Sequence, residues 1–103
     1  GKRLLKAESV DAMTKNQLPE GIPHIGIGDR RSGVGFGVGF SVRTAESEWG
    51  FGGKVGEIGW GGAASTHFWM LPAEGLVVIT MRNFKPFQWT LEEELKELVY
   101  DAL

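Results

Sequence analysis

The residues best suited to chemistry lie in one glycine-rich stretch, Gly59-Trp60-Gly61-Gly62-Ala63-Ala64-Ser65-Thr66. Three glycines in four positions give up side-chain packing and raise the backbone entropy cost of folding, which indicates that something approaches the backbone closely. Backbone N–H groups in such a stretch can form an oxyanion hole, which stabilises the charge that develops on an acyl carbonyl oxygen. The alternative is a tightly packed strand that binds no ligand. We expect a strand that opens with these glycines and forms one wall of an active site.

Side chains that could act as nucleophiles, bases or metal ligands are sparse. Ser65 adjoins the glycines, but the chain has no Ser-x-x-Lys, no Gly-x-Ser-x-Gly and no cysteine. His24 and His67 are too few and too far apart in sequence to indicate a metal site. Tyr100 lies in a predicted helix. The chain therefore lacks a complete catalytic set of its own, and we expect no metal.

Two nucleotide-binding motifs are excluded by their surroundings. Gly59-x-Gly61-x-x-Ala64 matches the spacing of a dinucleotide fingerprint, but that motif must open a helix and here a β-rich run follows. Gly53-Lys54 lacks both the upstream glycine and the following Ser or Thr of a phosphate-binding loop. We expect no cofactor.

Composition narrows the function classes. The net charge of -2 over 103 residues leaves no basic stripe for nucleic acid. The longest apolar run, Gly75 to Met81, is far too short to span a bilayer, and the absence of cysteine leaves both a cytoplasmic and a periplasmic location open. The size suits one domain or part of one. Because residue 1 is Gly, we expect a processed chain, a tag remnant or the later part of a longer protein.

The second half of the chain predicts a hairpin and a helix. Thr66 to Leu71 and Leu76 to Met81 flank a turn whose Gly75 supplies a positive φ, so we expect two antiparallel strands. Thr90 followed by Glu93 predicts a capping box, and Glu92 with Lys96 predicts an i,i+4 pair. An apolar stripe predicts that this helix covers one sheet face; its members are Leu91, Leu95, Leu98, Val99 and Ala102. Nothing else here can cover the other face, which predicts a missing partner segment.

The first half gives weaker patterns. Leu4 to Leu18 predicts a short helix, and Val34 to Arg43 alternates bulky residues with glycines, which predicts one strand with a bare face that admits a close neighbour. Turns are predicted at 29–33 and 44–48, and a loop or short strand at 49–58. The expected class is α+β, an antiparallel sheet with a C-terminal amphipathic helix packed on one face.

The stretch from Gly59 to Pro72, together with the strand from Leu76 to Met81 and the closing helix, resembles the serine hydrolases with the β-lactamase fold. These include class C β-lactamases, penicillin-binding D,D-peptidases and β-lactamase-like esterases. The upstream residues 4–18 are similar to the family's helix before its glycine-rich strands. The resemblance identifies the whole chain, 1–103, as the C-terminal segment of a single β-lactamase-like domain, whose N-terminal portion is the expected partner.

The resemblance implies roles for four residues. Trp60-Gly61-Gly62 corresponds to the family's third motif and would bind substrate, and the N–H of Ala63 would be one oxyanion donor. The nucleophile, the Ser of Ser-x-x-Lys, and the proton-moving Tyr would lie upstream. Trp60 replaces the Lys that recognises a β-lactam carboxylate, which favours small neutral ester or acyl substrates.

Three functions follow from these expectations. The first is a carboxylesterase-like serine hydrolase that acts through a serine acyl-enzyme, with a β-lactamase or D,D-peptidase as variants. The second is a non-catalytic penicillin-binding-like fold used for peptide or glycan binding. The third is a self-sufficient small α+β domain. The sequence leaves open whether Arg82 or Asn83 lines the pocket.

Overall fold

The computed structural model describes residues 1–26, 32–46 and 53–103. The described chain is α+β, as predicted, with a five-stranded antiparallel sheet in sequence order β1-β2-β3-β4-β5. The elements are α1 (Ala7–Thr14), β1 (Val34–Phe36), β2 (Ser41–Arg43), β3 (Ile58–Gly61), β4 (His67–Leu71), β5 (Leu76–Thr80) and α2 (Thr90–Asp101). The turns predicted at 29–33 and 44–48 and the loop predicted at 49–58 fall partly outside the described residues.

The β4–β5 hairpin has the predicted form. Leu71 pairs with Leu76 next to the turn, and His67 pairs with Thr80 at the other end. A single turn of 3-10 helix at Pro72–Glu74 connects the strands, and Gly75 closes it in the left-handed region at φ 63°. The residue types at the turn therefore fix the register of the hairpin.

The run from Val34 to Arg43 is a hairpin, so the prediction of one strand is wrong. Gly39 has a φ of 87°, and the Gly37 N–H donates to the Phe40 carbonyl, which closes a turn between β1 and β2. Alternate glycines lower the cost of a reversal as well as baring one face. The bare face does admit a neighbour, because Asn16 lies where a side chain at Gly35 would project.

The glycine-rich stretch ends a strand and does not open one. β3 stops at Gly61, and a turn from Gly62 to Ser65 leads into β4. The Gly62 N–H donates to the Thr66 carbonyl at 2.7 Å, and Ser65 has a positive φ of 62°. The buried Ser65 hydroxyl donates to the Phe84 carbonyl at 2.9 Å and accepts from the Gln88 N–H at 3.0 Å. The turn is thereby tied to the segment that leads to α2.

Helix α1 is shorter than the predicted range of Leu4 to Leu18 and buries none of its side chains. The segment after it runs beside β1. Gln17 donates its N–H to the Phe36 carbonyl at 2.7 Å, and the Phe36 N–H donates to the Asn16 side-chain oxygen at 3.1 Å. The backbone after α1 therefore satisfies part of the outer edge of the sheet.

Helix α2 packs on the sheet through a different face from the one predicted. The buried positions are Glu92 and Lys96, whereas Leu98 is exposed. The helix begins one residue earlier than a capping box on Thr90 requires, with Trp89 at the N-cap and no side-chain cap. The apolar stripe was misassigned because the sheet beneath α2 carries polar partners for Glu92 and Lys96. Neither helix in the described part of the chain has the length and apolar composition that crossing a bilayer requires.

Candidate functional site

Three of the four predicted site residues line one groove. Trp60, Gly61 and Gly62 border an open groove of about 260 Å³ on the sheet face opposite α2. Cross-strand pairing sets Trp60 beside Phe68, and Phe68 beside Ile79, so these three side chains form a row across β3, β4 and β5.

The groove lies between two rows of side chains. The next positions on the same face are Gly62, Thr66 and Met81, which line the groove on its other side. The residues between the two rows, Gly61, His67 and Thr80, pair with one another across the strands, so the backbone of these residues forms the floor. Gly62 contributes no side chain, which leaves the β3 end of the groove open.

Gly61 is supported from behind by the imidazole of His67. A Cβ at Gly61 would lie 2.7 Å from His67 Cδ2, a contact too short for the ring to tolerate in place. The ring cannot move aside easily, because it stacks on Trp89 with ring centroids 5.2 Å apart and contacts the edge of Phe87 at 5.1 Å. Glycine at position 61 is therefore a requirement of close packing, as the spacing of the stretch indicated.

Ala63 lies in the exposed turn immediately after the groove. The Gly62 N–H is occupied by Thr66 and the Ser65 N–H by Gly62, at 2.7 and 2.9 Å. Within the described ranges, the Ala63 N–H donates to no backbone carbonyl. The Ala64 N–H donates to none there either, and of these two residues only Ala63 is exposed, so its amide is the better placed for an external acceptor.

The structure also contains a buried charged cluster that the sequence did not reveal. Lys96 Nζ pairs with Glu57 Oε1, lies 2.8 Å from Glu92 Oε1, and stands 5.2 Å from the centroid of the Trp69 ring. Glu92 Oε2 is 3.4 Å from His67 Nε2. Buried charges are tolerated when they are paired in this way.

The far end of the cluster is formed by Tyr100 and Arg43. The Tyr100 hydroxyl donates to Glu57 Oε2, and Arg43 is buried close by. Burial, followed by the hydrogen bond and the negative charge of Glu57, raises the pKa of Tyr100 well above its usual value. The phenol is therefore held neutral as a structural donor.

The cluster has the properties of a helix anchor. It joins α2 to β4 and to the residue before β3, and its enclosed cavity of about 20 Å³ has room for one water. Only the Glu92–Lys96 spacing gave a sequence signal for it. No group of three His, Cys, Asp or Glu residues within the described ranges is arranged to hold a metal ion.

The remaining candidate side chains lie away from the groove. Ser65 is fully buried, and its hydroxyl is engaged by Phe84 and Gln88. His24 is exposed and contacts the Ile25 carbonyl. The Arg82 guanidinium stands over the Phe84 ring at 5.2 Å, and neither Arg82 nor Asn83 lines the groove.

No protein-family model matches the chain, and no curated protein matches it. A function must therefore be inferred from the geometry of the groove, the Ala63 turn and the sequence resemblance.

Proposed function

We propose that this chain is the C-terminal part of a β-lactamase-like serine hydrolase, acting on small neutral esters through a serine acyl-enzyme. The observation that supports the proposal most is that Ala63, an exposed residue whose N–H donates to no backbone carbonyl of the described chain, directly follows three residues that line a groove, Trp60, Gly61 and Gly62. An N–H group held by a rigid turn in this way can donate to the oxyanion of a tetrahedral intermediate without reorganisation.

The roles divide along the groove. Trp60 forms the wall against which the acyl group packs, and the bare Gly61-Gly62 backbone lets the reacting carbonyl approach Ala63. Ser65 and Tyr100 are engaged in buried or half-buried structural hydrogen bonds. The nucleophilic serine, its lysine and the second oxyanion donor therefore belong to an upstream segment of the same protein.

The test is the hydrolysis of short-chain aryl esters by the protein that carries this chain together with its upstream segment. We expect turnover, a burst of aryl alcohol from the acyl-enzyme, and covalent labelling of one upstream serine by a phosphonate ester. A folded protein with neither turnover nor labelling contradicts the proposal. If such a protein binds peptides or glycans, the non-catalytic penicillin-binding-like alternative takes its place.

A further inference from the structure

The groove described above is larger and more apolar than a short acyl group needs. Its β5 end is formed by Ile79 and Met81, which are 64% and 82% exposed, and its centre by Phe68. No Asp, Glu, Lys or Arg of the described chain lines it. An occupant of this end must therefore be uncharged and apolar.

We propose that the groove binds the acyl chain of a medium-chain ester, with the carbonyl at the Ala63 end and the chain running across β4 to Ile79. This inference rests on the proposed function, because it assigns the substrate class of that same site. Gly61 and Gly62 line the groove and Ala63 follows them in the chain, so an acyl chain whose carbonyl lies beside Ala63 starts at the β3 end of the groove.

The dimensions of the groove set the length of the chain. A methylene group occupies roughly the volume of a water molecule, ~30 Å³, so a groove of about 260 Å³ accepts a chain of about eight carbons. The three strands it crosses span about 10 Å from β3 to β5. Full burial of a methylene group raises the affinity ~4-fold. Because the groove is open on one side, each methylene group is about half buried and raises the affinity about twofold.

The groove also has the polarity gradient that an ester requires. At the β3 end lie Gly62 and the Thr66 hydroxyl, whose Oγ1 stands 2.7 Å from the position of a Cβ on Gly62. At the β5 end the lining is aliphatic. A polar carbonyl end and an apolar tail therefore each meet a matching surface.

The experiment compares Ile79→Trp with Val77→Trp. Both residues lie on β5, project from the same face and are 64% and 60% exposed, but only Ile79 lines the groove. Tryptophan is well accepted in strands. In the protein with its upstream segment, the ratio of kcat/KM for aryl octanoate to that for aryl acetate is measured for wild type and both variants.

We expect Ile79→Trp to lower the octanoate-to-acetate ratio at least about tenfold, and Val77→Trp to leave it within about twofold. Equal ratios in all three proteins, with esters still hydrolysed, overturn the acyl-chain assignment and leave the proposed function standing. A folded wild type that hydrolyses neither ester contradicts the proposed function, and the binding measurement below then decides the assignment independently.

The binding measurement uses the same protein with its upstream segment and methyl octanoate, with methyl acetate as the short control. We expect NMR shifts of the Ile79 and Met81 methyl groups and the Trp60 indole with methyl octanoate, and their loss in Ile79→Trp. Absence of these shifts overturns the assignment. The assignment is also overturned if sedimentation shows that the protein self-associates through the groove. An upstream segment that occupies the groove would overturn it in the same way.

Discussion

The two faces of the β4–β5 hairpin differ in burial and in polarity. On the α2 side, Trp69 and His67 are 1% and 3% exposed, and charged side chains from the helix meet partners on the sheet. On the other side, Val77 and Ile79 are 60% and 64% exposed, and the groove opens beside the glycine wall. A polar layer that contains paired charges thus closes one face, while an apolar layer leaves the other face available for a ligand or a further segment of the protein.

The largest effect should come from breaking the paired face. Lys96→Met leaves Glu57 and Glu92 buried without their shared cation, so we expect a loss of about 3–5 kcal/mol in the free energy of unfolding. Urea denaturation followed by circular dichroism measures it. Lys2→Met, at an exposed position, is the matched control and should change stability by less than about 0.5 kcal/mol. Equal effects of the two substitutions would show that the cluster does not anchor α2.

A smaller loss in the free energy of unfolding should follow from adding a side chain at Gly61, where the groove backbone packs on His67. Gly61→Ala places a Cβ 2.7 Å from the wedged His67 ring, and overpacking of this kind costs about 1–3 kcal/mol. At Gly26 a Cβ would meet no atom within 4 Å, and its φ is not in the left-handed region. Thermal unfolding should therefore show a lower Tm for Gly61→Ala than for Gly26→Ala. A Gly61→Ala variant as stable as wild type would mean that His67 does not support the wall.

The paired face should also weaken at high pH. Because the pKa of Tyr100 is raised in the folded state, its stabilising contribution is complete below the unfolded value of about 10 and is lost as the pH rises above it. The slope is below the limit of ~1.4 kcal/mol per pH unit, because the phenol is partly exposed and its charge is screened. Stability measured across this range should fall less steeply in Tyr100→Phe than in wild type. Since Tyr100 is the sole tyrosine, phenolate absorbance reports its titration directly, and an ordinary pKa would contradict the assignment.

The smallest effect should come from the exposed end of the open face, at Val77. Val42, Ile58, Met70 and Val77 form one row across the sheet, but Val42 is 6% exposed and Val77 60%. Val42→Thr buries a hydroxyl and should cost about 1–3 kcal/mol, whereas Val77→Thr should cost less than about 0.5 kcal/mol. Urea unfolding of the two variants tests this difference. Comparable losses would mean that the β5 end of the row is covered in solution.

The sequence predicted the parts of the fold that depend on local geometry. The β4–β5 hairpin follows from Pro72 and Gly75, and the Glu92–Lys96 pair follows from helical spacing. It did not predict which face of α2 would be buried, because Glu57, Arg43 and His67 are distant in sequence and only the sheet register brings them under the helix. The Val34–Arg43 pattern was misinterpreted because alternate glycines fit both a bare strand and a tight turn.

For the candidate groove, the sequence named some of the lining residues but not how they are arranged. Trp60, Gly61 and Gly62 were singled out by the resemblance of the glycine-rich stretch to the family's third motif, and these three residues line one groove. Two further residues complete the groove, Ile79 on β5 and Met81 just after it, and the sequence gave no signal for them beyond the predicted strand. Their position depends on cross-strand register, which no local pattern contains.

The central claim concerns a single backbone N–H, that of Ala63, and proline can remove it. Ala63 is exposed, follows a glycine and does not have a positive φ, so Ala63→Pro deletes the donor at a position where no side chain is buried. Ala63→Ser keeps the N–H and is the control. In the protein with its upstream segment, we predict that Ala63→Pro lowers kcat for aryl ester hydrolysis about 10²–10³-fold, while Ala63→Ser stays near wild type. Equal kcat values for the two folded variants would contradict the assignment of this amide as an oxyanion donor.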